Sequence, residues 1–458
     1  MRVSGVKCVS PDEVYDCIGI GFGPSNIALA IAMQEQNCLA RVRFLEGRAE
    51  TDWQPDMLLP GSDIQHNPLR DFVTPRNPRS QFGFLSYLHD QGRLLDFLRL
   101  EAPFPPRCEY ASYVKWVAAK FSHVVDYNAG VTGIDLIDGP LGKPVYIIRC
   151  SSGKIYMANT ISFGVGRSQN IPVQYQPYIG EKVIHSDNYL SRVKSWARES
   201  SVRRIAVIGA SQSAVEIILD LQSRLPDVAV ACVSRGFGFK LKDVSPFTEK
   251  IYSPEFIDYF YTASENSQSE MTRELWRSNY GAADHDVIAS LDFLLYEQKV
   301  AGSDRVCLFD NQITESVEAM NGSGFELKLH DRHSEVSQVL RVDAIILATG
   351  YRNFGSSPDQ ERFHPLLRSL TPRFQYRSDG GLAISRDFRV LHEDQCGEIP
   401  PLFINGLCES THGFGDAGSF SLLATRSELI ARSIGEHLRH NQFSITPEAR
   451  LPQLAAGE

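Results

Sequence analysis

Runs of apolar residues separated by glycine-rich turns recur along this 458-residue chain. The first unit is a strand predicted over 14–20, a turn at Gly21-Phe-Gly, and a helix that begins near Pro24 and stays apolar to Met33. Similar runs predict strands at 42–45, 145–150, 155–157, 160–163, 205–208, 228–233, 325–329, 342–347 and 402–407. Helical patterns cover 84–90, 94–98, 113–121 and 215–221, with a closing helix to about His437. Strands that alternate with helices predict an α/β fold containing parallel sheets.

The first glycine turn has the features of a dinucleotide pyrophosphate site. Gly21 suits a tight turn, Gly23 leaves room for an anion, and the following helix directs its N–H groups toward that space. Glu46 ends the next strand, 25 residues after Gly21, where an acid that binds ribose is expected. An ordinary glycine turn is the alternative, which the flanking strand, helix and acid disfavour. We expect the cofactor contacts to come from Gly21, Gly23, Pro24, Ser25, Asn26 (which replaces the third glycine of the fingerprint) and Glu46.

The same order of strand, turn and helix recurs after residue 201. An apolar strand at 205–208 runs into a second turn, and a second nucleotide is expected there. The next strand is followed by Arg235, and Lys240 comes five residues later. Cations at this place favour the 2′-phosphate of NADPH over the bare hydroxyl of NADH, and solvated surface charges are the alternative interpretation. The contacts expected from this turn come from Gly209, Ser211, Gln212 and Ser213.

Two further segments have distinctive compositions. Residues 53–80 are rich in proline and polar side chains, which predicts a long ordered loop of the kind that often carries function. Residues 243–300 combine helix formers with aromatic residues, and we interpret them as a small helical subdomain. We expect its core to contain Phe256, Tyr259, Phe260, Tyr261, Leu275, Trp276, Leu291, Phe293 and Tyr296.

Composition disfavours several functional classes. A formal net charge of −9 argues against nucleic acid or an anionic membrane as the main partner, so a small molecule is expected. The nine cysteines are scattered singly, without a Cys-x-x-Cys pair or a metal-ligand spacing, so no metal site is predicted. Residues 1–8 lack an apolar leader, and no run is long enough to cross a bilayer. These features predict a soluble, cytoplasmic protein with reduced thiols.

Two dinucleotide units in one chain imply two nucleotides that meet, which we interpret as FAD at the first unit and NADPH at the second. A flavin passes electrons onward, so the next acceptor decides the function. Disulfide reductases of this architecture carry a Cys-x4-Cys soon after the first helix, and this chain has none. Dioxygen is the remaining common acceptor. A nucleotide-binding sensor or scaffold is a non-enzymatic alternative, which the intact glycine turns disfavour.

Ordered motifs extend along nearly the whole chain: Gly21-Phe-Gly-Pro-Ser-Asn, Met57-Leu-Leu-Pro-Gly, 65–71, Arg76-Asn-Pro-Arg-Ser, Gly209-Ala-Ser-Gln-Ser-Ala, Ser245-Pro-Phe, Ser278-Asn-Tyr, Ala348-Thr-Gly-Tyr and Thr411-His-Gly. They resemble the flavin-dependent N-hydroxylating monooxygenases of siderophore biosynthesis, L-ornithine N5-monooxygenases first and L-lysine N6-hydroxylases next. The resemblance implies that NADPH reduces FAD, that O2 forms a flavin C4a-hydroperoxide, and that one oxygen reaches the terminal amine of L-ornithine. Lysine, a diamine or another amino acid is the alternative substrate. A less selective amine or sulfide monooxygenase is a second alternative, and a homotetramer or dimer is also implied.

The resemblance implies roles for individual residues. Gln65 matches a catalytic glutamine beside the flavin, and Asn279 matches a catalytic asparagine that contacts the substrate and the nicotinamide ribose. Arg70 stands where a lysine binds the substrate carboxylate, and Lys240 where an arginine binds the NADPH phosphate. Ser421 aligns with a serine near the substrate amine if one residue is inserted after Asp416. Trp53, Thr349, Gly350 and Tyr351 fall in motifs expected to bind the cofactors.

Two departures from the family pattern concern the substrate. Glu249 stands where the family usually has an asparagine that holds the α-amino acid end of the substrate. A glutamate attracts an ammonium and repels a carboxylate. Glu249 could hold the α-ammonium of ornithine while Arg70 holds its carboxylate, or the site could accept another amine. The family's Trp-His-x-Gly-Met is Trp53-Gln-Pro-Asp-Met in this chain.

The expected architecture is α/β, with two dinucleotide-binding, Rossmann-like domains and a small helical substrate subdomain. Residues 1–190 and 336–458 are assigned to the FAD-binding domain, the latter with contributions to the substrate site. Residues 191–335 are assigned to the NADPH-binding domain, with a helical insert at about 243–300. The long loop after Trp53 and this insert are the candidates for shielding the reactive flavin from bulk water.

Overall fold

The computed structural model describes residues 14–38, 40–139, 142–198, 202–321 and 324–443. Residues 1–8, for which no leader is predicted and which include Cys8, lie outside these ranges. Ser201, where the second unit is predicted to begin, also lies outside them. The strands are Val14–Tyr15 (β1), Cys17–Ile20 (β2), Val42–Leu45 (β3), Val125–Asp126 (β4), Val131–Asp138 (β5), Pro144–Cys150 (β6), Ile155–Ala158 (β7), Ile161–Phe163 (β8), Ser168–Gln169 (β9), Val183–His185 (β10), Arg204–Ile208 (β11), Ala229–Val233 (β12), Val306–Phe309 (β13), Gln312–Ala319 (β14), Phe325–Asp331 (β15), Ser337–Val342 (β16), Ala344–Leu347 (β17), Tyr351–Arg352 (β18) and Leu402–Ile404 (β19). The α-helices are Pro24–Glu35 (α1), Phe84–Asp90 (α2), Leu94–Leu100 (α3), Arg107–Lys120 (α4), Tyr189–Trp196 (α5), Gln212–Arg224 (α6), Pro254–Thr262 (α7), Glu265–Glu274 (α8), His285–Ala301 (α9), Glu409–His412 (α10) and Leu423–Phe443 (α11).

The N-terminal unit is built on a five-stranded parallel sheet in the order β19-β8-β2-β3-β4. Its central strand β2 is apolar and completely buried, as expected for a parallel sheet with both faces covered. β2 and β3 pair in register from Cys17 with Val42 to Ile20 with Leu45, which brings Gly21 and Glu46 to the same edge. β19 adds residues 402–404 to this sheet, so the C-terminal part of the chain completes the N-terminal unit.

The single strand predicted over 14–20 is wrong, because the structure contains two strands that belong to different sheets. β1 pairs with β7, whereas β2 joins the parallel sheet. Asp16 lies at the break, where its carboxylate accepts a hydrogen bond from the Arg41 N–H at 2.8 Å. An apolar run does not reveal this change of partner, since both strands are apolar.

The second unit is built on another five-stranded parallel sheet, in the order β10-β17-β11-β12-β13. Strands predicted at 205–208 and 228–233 are confirmed as β11 and β12, and β17 confirms the later part of the run predicted at 342–347. Helix α6 follows β11 and buries its apolar face, and α9 packs against α6. A three-stranded antiparallel sheet, β14-β15-β16, precedes β17.

The segment 243–300 is helical as predicted, but the prediction of an aromatic core is wrong for four residues. Phe260 and Leu291 are fully buried. On α9, Phe293 and Tyr296 lie on the face opposite Leu291, because successive helical residues are about 100° apart. A count of apolar residues cannot tell which helix face is covered. The four exposed aromatic residues and their exposed fractions are Tyr259 (65%), Trp276 (43%), Phe293 (63%) and Tyr296 (67%).

A buried ion pair joins the two units. Arg107, the first residue of α4, forms two hydrogen bonds with Glu216 of α6 at 2.8 and 2.9 Å, and both side chains are less than a tenth exposed. Arg107 also donates to the carbonyls of Met57 and Asp63 in the loop at residues 53–83. This loop contains one short 3-10 helix, Pro55–Met57, and no α-helix or ladder strand. Arg107 therefore fixes the loop against the second unit.

Within the described ranges, no helix is long and apolar enough to cross a membrane. Within the same ranges, no group of three or more His, Cys, Asp and Glu side chains could hold a metal ion.

Candidate active site

The first glycine turn fits an anionic cofactor. Gly21 has φ +80°, and a Cβ there would lie 2.7 Å from the carbonyl oxygen of Gly164, so only glycine is tolerated. A Cβ on Gly23 would meet no atom within 4 Å, which leaves open space above the turn. Gly23 is the N-cap of α1 and no side chain caps this helix, so the first-turn N–H groups remain available to a pyrophosphate.

Asn26 replaces the third fingerprint glycine with a side chain that holds the turn. Its Nδ2 donates to the carbonyls of Ile20 and Gly21 at 3.1 and 2.7 Å, and its Oδ1 accepts from Ser162 at 2.7 Å. The side chain is fully buried, so only the main-chain N–H of Asn26 can reach a cofactor. Ser25 beside it is also held, since its Oγ accepts from Arg426 at 3.0 Å.

Glu46 lies at the same sheet edge as the first turn. Its two carboxylate oxygens accept the N–H groups of Phe22 at 2.8 Å and of Arg48 at 2.9 Å. These bonds fix the orientation of the carboxylate. A carboxylate offers about four acceptor positions, so Glu46 can still accept from a ribose hydroxyl.

The second turn has equally strict geometry. Gly209 has φ +141°, and a Cβ there would lie 2.3 Å from the carbonyl oxygen of Ala348 at the end of β17. Helix α6 begins at Gln212 after the N-cap Ser211, which makes no side-chain cap bond, and Ser213 lies in the first turn. The Gln212 N–H donates to the Ala282 carbonyl at 3.1 Å, so a phosphate-bearing nucleotide would be bound by the other N–H groups of this turn.

Arg235 and Lys240 are exposed and lie beyond β12. β11 and β12 pair in register, with Ile208 opposite Val233, so the chain that carries Arg235 leaves the sheet at the same edge as Gly209. The Lys240 ammonium lies 5.7 Å from the ring centre of Phe237.

The motif at Thr349-Gly350-Tyr351 leads from the end of β17 into β18, which pairs with β9. Tyr351 pairs with Gln169, and its hydroxyl donates to the Asp187 carboxylate. The Gly350 carbonyl accepts from His185 Nε2 at 2.9 Å, and the Thr349 carbonyl accepts from Asn170 at 3.2 Å. Gly350 has φ +75°, a conformation that glycine adopts without strain.

A cavity of about 120 Å³ lies where the long loop, the segment 242–279 and the residues after Gly418 meet. Neither glycine turn lines it, and neither do Arg235 and Lys240. The structure thus brings the predicted substrate residues together with Trp53 and Gln65, two of the residues predicted near the cofactors, and leaves the residues of the two glycine turns elsewhere. The predicted residues that line the cavity are Trp53, Gln65, Arg70, Glu249, Asn279 and Ser421.

Arg70 and Glu249 form an ion pair in this cavity. Arg70 Nη2 lies 2.6 Å from Glu249 Oε2, and each side chain is 29% exposed. The Arg70 guanidinium also lies 5.3 Å from the ring centre of Tyr252, which lines the same cavity. The pair has no net charge and presents both signs side by side.

The remaining predicted side chains are held by neighbours. Trp53 packs edge-on against Phe420, with ring centres 5.3 Å apart. The Ser421 N–H and side chain both bond to the Ser419 hydroxyl at 3.1 Å. Asn279 follows the 3-10 helix Trp276–Ser278, and its Nδ2 is 3.4 Å from Glu409 Oε1.

Glu409 is a residue that sequence analysis missed. It is buried, and one carboxylate oxygen accepts from the Tyr280 hydroxyl at 2.7 Å and from Asn353 Nδ2 at 2.6 Å. Burial raises the pKa of Glu409 to about 7, although the hydrogen bond from Tyr280 and the positive charge of Arg167 both lower it. A lone glutamate just before Thr411-His-Gly carries no local signal of this environment.

His66 and Lys242 also line the cavity and were missed. His66 Nδ1 lies 2.7 Å from the Ile64 carbonyl oxygen, and because a carbonyl only accepts, Nδ1 carries the proton. Burial lowers the pKa of His66 to about 4, so the imidazole is neutral. Lys242 Nζ donates to the Gln65 carbonyl at 3.4 Å. The only available signal was that each lies near a predicted residue in the sequence.

Sequence comparison links the chain to one enzyme family. The family model described as L-lysine 6-monooxygenase/L-ornithine 5-monooxygenase matches residues 13–353. An L-ornithine N(5)-monooxygenase of Burkholderia cepacia is 33% identical over 433 residues, covering 92% of this chain and 95% of that protein.

Solved structures agree with this similarity. An ornithine N-hydroxylase of Kutzneria sp. 744, in a structure with reduced FAD, NADP+ and L-ornithine, has a TM-score of 0.85 at 30% identity and covers 93% of this chain and 100% of its own. An L-lysine 6-monooxygenase of Pseudomonas syringae has a TM-score of 0.81 at 34% identity, covering 92% and 99%. An FAD-bound cadaverine monooxygenase of Erwinia amylovora has a TM-score of 0.80 at 26% identity, covering 92% and 94%.

Proposed function

Because this chain belongs to the L-lysine 6-monooxygenase/L-ornithine 5-monooxygenase family, we propose that it hydroxylates the terminal amine of L-ornithine with FAD, NADPH and O2. One oxygen atom enters the amine as N5-hydroxyornithine, the other leaves as water, and NADPH supplies the two electrons. The observation that carries the proposal is the cavity in which Gln65, Arg70, Glu249 and Asn279 meet. The product would serve a siderophore or a related natural product.

The Arg70–Glu249 pair supports an α-amino acid as the substrate. An amino acid carries a carboxylate and an ammonium on one carbon, and these match a guanidinium and a carboxylate that lie 2.6 Å apart. Arg70 has five N–H donors, of which the bond to Glu249 uses one, so the fork can still bind the substrate carboxylate. Glu249 would accept from the α-ammonium. A lone carboxylate or a lone ammonium would be repelled by one member of the pair.

The surroundings of the cavity also suit an amine that must react in its neutral form. An alkyl ammonium has a pKa of about 10.4, so its deprotonation near pH 7.5 costs roughly 4 kcal/mol. Nearby positive charges and burial both lower that pKa. Lys242 supplies positive charge at the cavity wall, while His66 is neutral and Ser421 and Asn279 are uncharged. The charge of Arg70 is balanced by Glu249, and the Asp63 carboxylate, which also lines the cavity, acts in the opposite direction.

The two turns fit the two nucleotides that the reaction needs. The first turn would hold FAD through Gly21, Gly23 and the free N–H groups of α1, with Glu46 at its ribose. The second would hold NADPH at the N-terminus of α6. FAD supplies hydride acceptance and activation of O2 when bound. The protein's part is to orient the amine and exclude water.

Lysine and diamines are the alternative substrates. Lysine is one methylene longer than ornithine, and a single methylene changes binding by only about 1–3 kcal/mol, so the cavity length decides between them. A diamine has no carboxylate for Arg70, so the ion pair favours the amino acids. A broader amine or sulfide oxygenase would not need this pair.

A substrate panel with hydroxylamine detection tests the proposal. The purified FAD-loaded protein should consume one NADPH for each hydroxylamine formed from ornithine, with lower kcat/KM for lysine, putrescine and cadaverine. Formation of only H2O2 with every amine would overturn the proposal. Preferred turnover of a diamine or of a thioether would replace it with the corresponding alternative.

The cofactor preference is tested at Arg235 and Lys240. The double variant Arg235→Ala/Lys240→Ala removes two cations expected at the 2′-phosphate, so its KM for NADPH should rise about tenfold or more while that for NADH stays nearly constant. Flavin reduction followed at both nucleotides measures the ratio. Equal effects on NADPH and NADH would remove the phosphate assignment.

A further inference from the structure

Asp284 occupies a helix cap but does not cap the helix. It is the N-cap residue of α9, with extended backbone, and its carboxylate makes no bond to the first-turn N–H groups. Aspartate at this position usually accepts such a bond, which stabilises a helix by about 1 kcal/mol. The Asp284 carboxylate instead accepts from Gln65 Nε2 at 2.5 Å and lies 4.0 Å from Lys242 Nζ.

This contact decides which way the Gln65 amide points. A carboxylate only accepts hydrogen bonds, so the NH2 group of the amide faces Asp284 and the oxygen faces away from it. The Gln65 backbone is fixed as well, because its N–H donates to Asp63 at 3.0 Å and its carbonyl accepts from Lys242. Among the described residues nothing donates to Gln65 Oε1, and Gln65 lines the cavity. The amide oxygen is therefore the free acceptor of this residue.

The same aspartate is tied to the second glycine turn. Its main-chain N–H donates to Gln212 Oε1 at 2.8 Å, and Gln212 is the first residue of α6. Gln212 Nε2 donates to Glu216 at 2.9 Å, and Glu216 pairs with Arg107. Arg107 Nε donates to the Asp63 carbonyl at 3.1 Å, and the Asp63 carboxylate holds the Gln65 N–H. A closed ring of hydrogen bonds thus runs from the cavity to the second turn and back.

We propose that Asp284 is a positioning residue, which presents the Gln65 amide oxygen to the cavity as an acceptor for an N–H group of the bound cofactor or substrate. The role of the acceptor rests on the proposed function, whereas the contact itself does not. Asp284 acts through Gln65 and touches no reacting atom. Its second link, to Gln212, makes the orientation of the amide sensitive to the conformation of the second turn.

The test is a double-mutant cycle between Asp284→Asn and Gln65→Ala. An asparagine can donate or accept, so the Gln65 amide loses its fixed orientation in Asp284→Asn. We expect the hydroxylamine formed per NADPH to fall, and the NADPH oxidation rate without amine to change, by about tenfold, because a misplacement of about 1 Å can cost about 100-fold in rate. In the Gln65→Ala background, Asp284→Asn should have no further effect. Melting temperatures should stay close to wild type, because no cap bond is lost.

Controls separate this role from a general effect of charge or folding. Asp286→Asn removes the same charge two residues later on the exposed first turn of α9 and should leave both rates unchanged. Asp284→Glu keeps an acceptor-only group and should restore part of the wild-type behaviour, which also covers the case in which Asp284→Asn does not fold. Additive effects in the cycle, or wild-type rates in Asp284→Asn, would overturn the proposal. The amine-free oxidation rate keeps the test valid if no amine is hydroxylated.

Discussion

At the scale of single residues, two opposite charges, those of Arg70 and Glu249, lie side by side at the proposed substrate site in the cavity. Arg70 and Glu249 contact each other at 2.6 Å and remain partly exposed, so each is both stabilised by its partner and accessible to a ligand. An exposed pair of this kind contributes about 1 kcal/mol or less to stability. We therefore propose that its main consequence is selectivity for ligands that carry both charges.

Removing Arg70 should change which substrate is preferred. In Arg70→Ala, Glu249 loses its cation and attracts ammonium groups without a partner that binds carboxylate. The KM for ornithine should rise about tenfold or more, while that for cadaverine or putrescine should rise less or fall. Steady-state kinetics on the amino acid and the diamine measure the ratio, with flavin reduction as the control that the nucleotide sites are intact. An unchanged ratio would contradict the pairing role.

Glu409 predicts a dependence of stability on pH. Burial raises its pKa from the usual 4.5 to about 7, so between these values the folded state holds a proton that the unfolded state has lost. Keeping this proton contributes roughly 3 kcal/mol to the free energy of unfolding. The contribution is complete below about pH 4.5 and is lost as the pH rises through about 7. Urea unfolding between pH 5 and 8 should show less of this decline in Glu409→Gln, which is neutral throughout. An identical slope in the variant would assign the decline to other groups.

At the scale of elements, the two glycine turns share the order of strand, turn and helix, but glycine is present in them for different reasons. Gly209 is packed against the Ala348 carbonyl and has a left-handed φ, so the fold itself requires glycine. Gly23 has extended backbone and empty space where a Cβ would be, so the fold does not require it. We propose that the missing side chain at Gly23 leaves the space that a bound pyrophosphate needs.

Alanine substitutions should separate these two requirements. Gly209→Ala should destabilise the protein by at least about 2 kcal/mol, because its Cβ overlaps a main-chain oxygen and its φ is strained. Gly23→Ala should leave the apoprotein within about 0.5 kcal/mol of wild type and weaken FAD binding. Urea unfolding of the apoprotein and flavin titration provide the two measurements. Tight FAD binding by Gly23→Ala would argue against a pyrophosphate at this turn.

At the scale of the whole molecule, the Arg107–Glu216 pair ties the first unit to the second. Both side chains are almost completely buried, and the guanidinium also binds two carbonyls of the long loop. A buried charge is tolerated only when it is paired, because its desolvation costs several kcal/mol. The pair therefore fixes how the wall of the cavity lies against the second turn.

Breaking this pair should be costly. Glu216→Ala leaves the Arg107 charge buried without its partner and should lower the free energy of unfolding by about 3–5 kcal/mol. The matched control is Glu326→Ala, which removes a pair with the largely exposed Arg341 and should cost less than about 1 kcal/mol. Urea unfolding measures both variants. Similar decreases in the free energy of unfolding of the two variants would mean that the buried Arg107–Glu216 pair stabilises the protein no more than an exposed pair does.

Local patterns predicted most of the regular structure. Helix α2 and strand β3 begin and end at the predicted residues, and the two turns follow buried strands as expected. Strands β5, β14 and β16 were not predicted, and two predictions failed because a local pattern has two solutions. The apolar run at 14–20 supports either one strand or two, and the aromatic residues of α9 do not reveal which of its faces has neighbours.

The sequence by itself determined the turns, the strands that carry them and the family of the enzyme, because these depend on short-range geometry and on ordered motifs. Only the tertiary structure decided which polar and charged side chains meet. Arg70 and Glu249 are 179 residues apart, and Gln65 and Asp284 are 219 residues apart. Such contacts depend on how every intervening element packs, and so do burial and the raised pKa of Glu409. No local pattern contains that information.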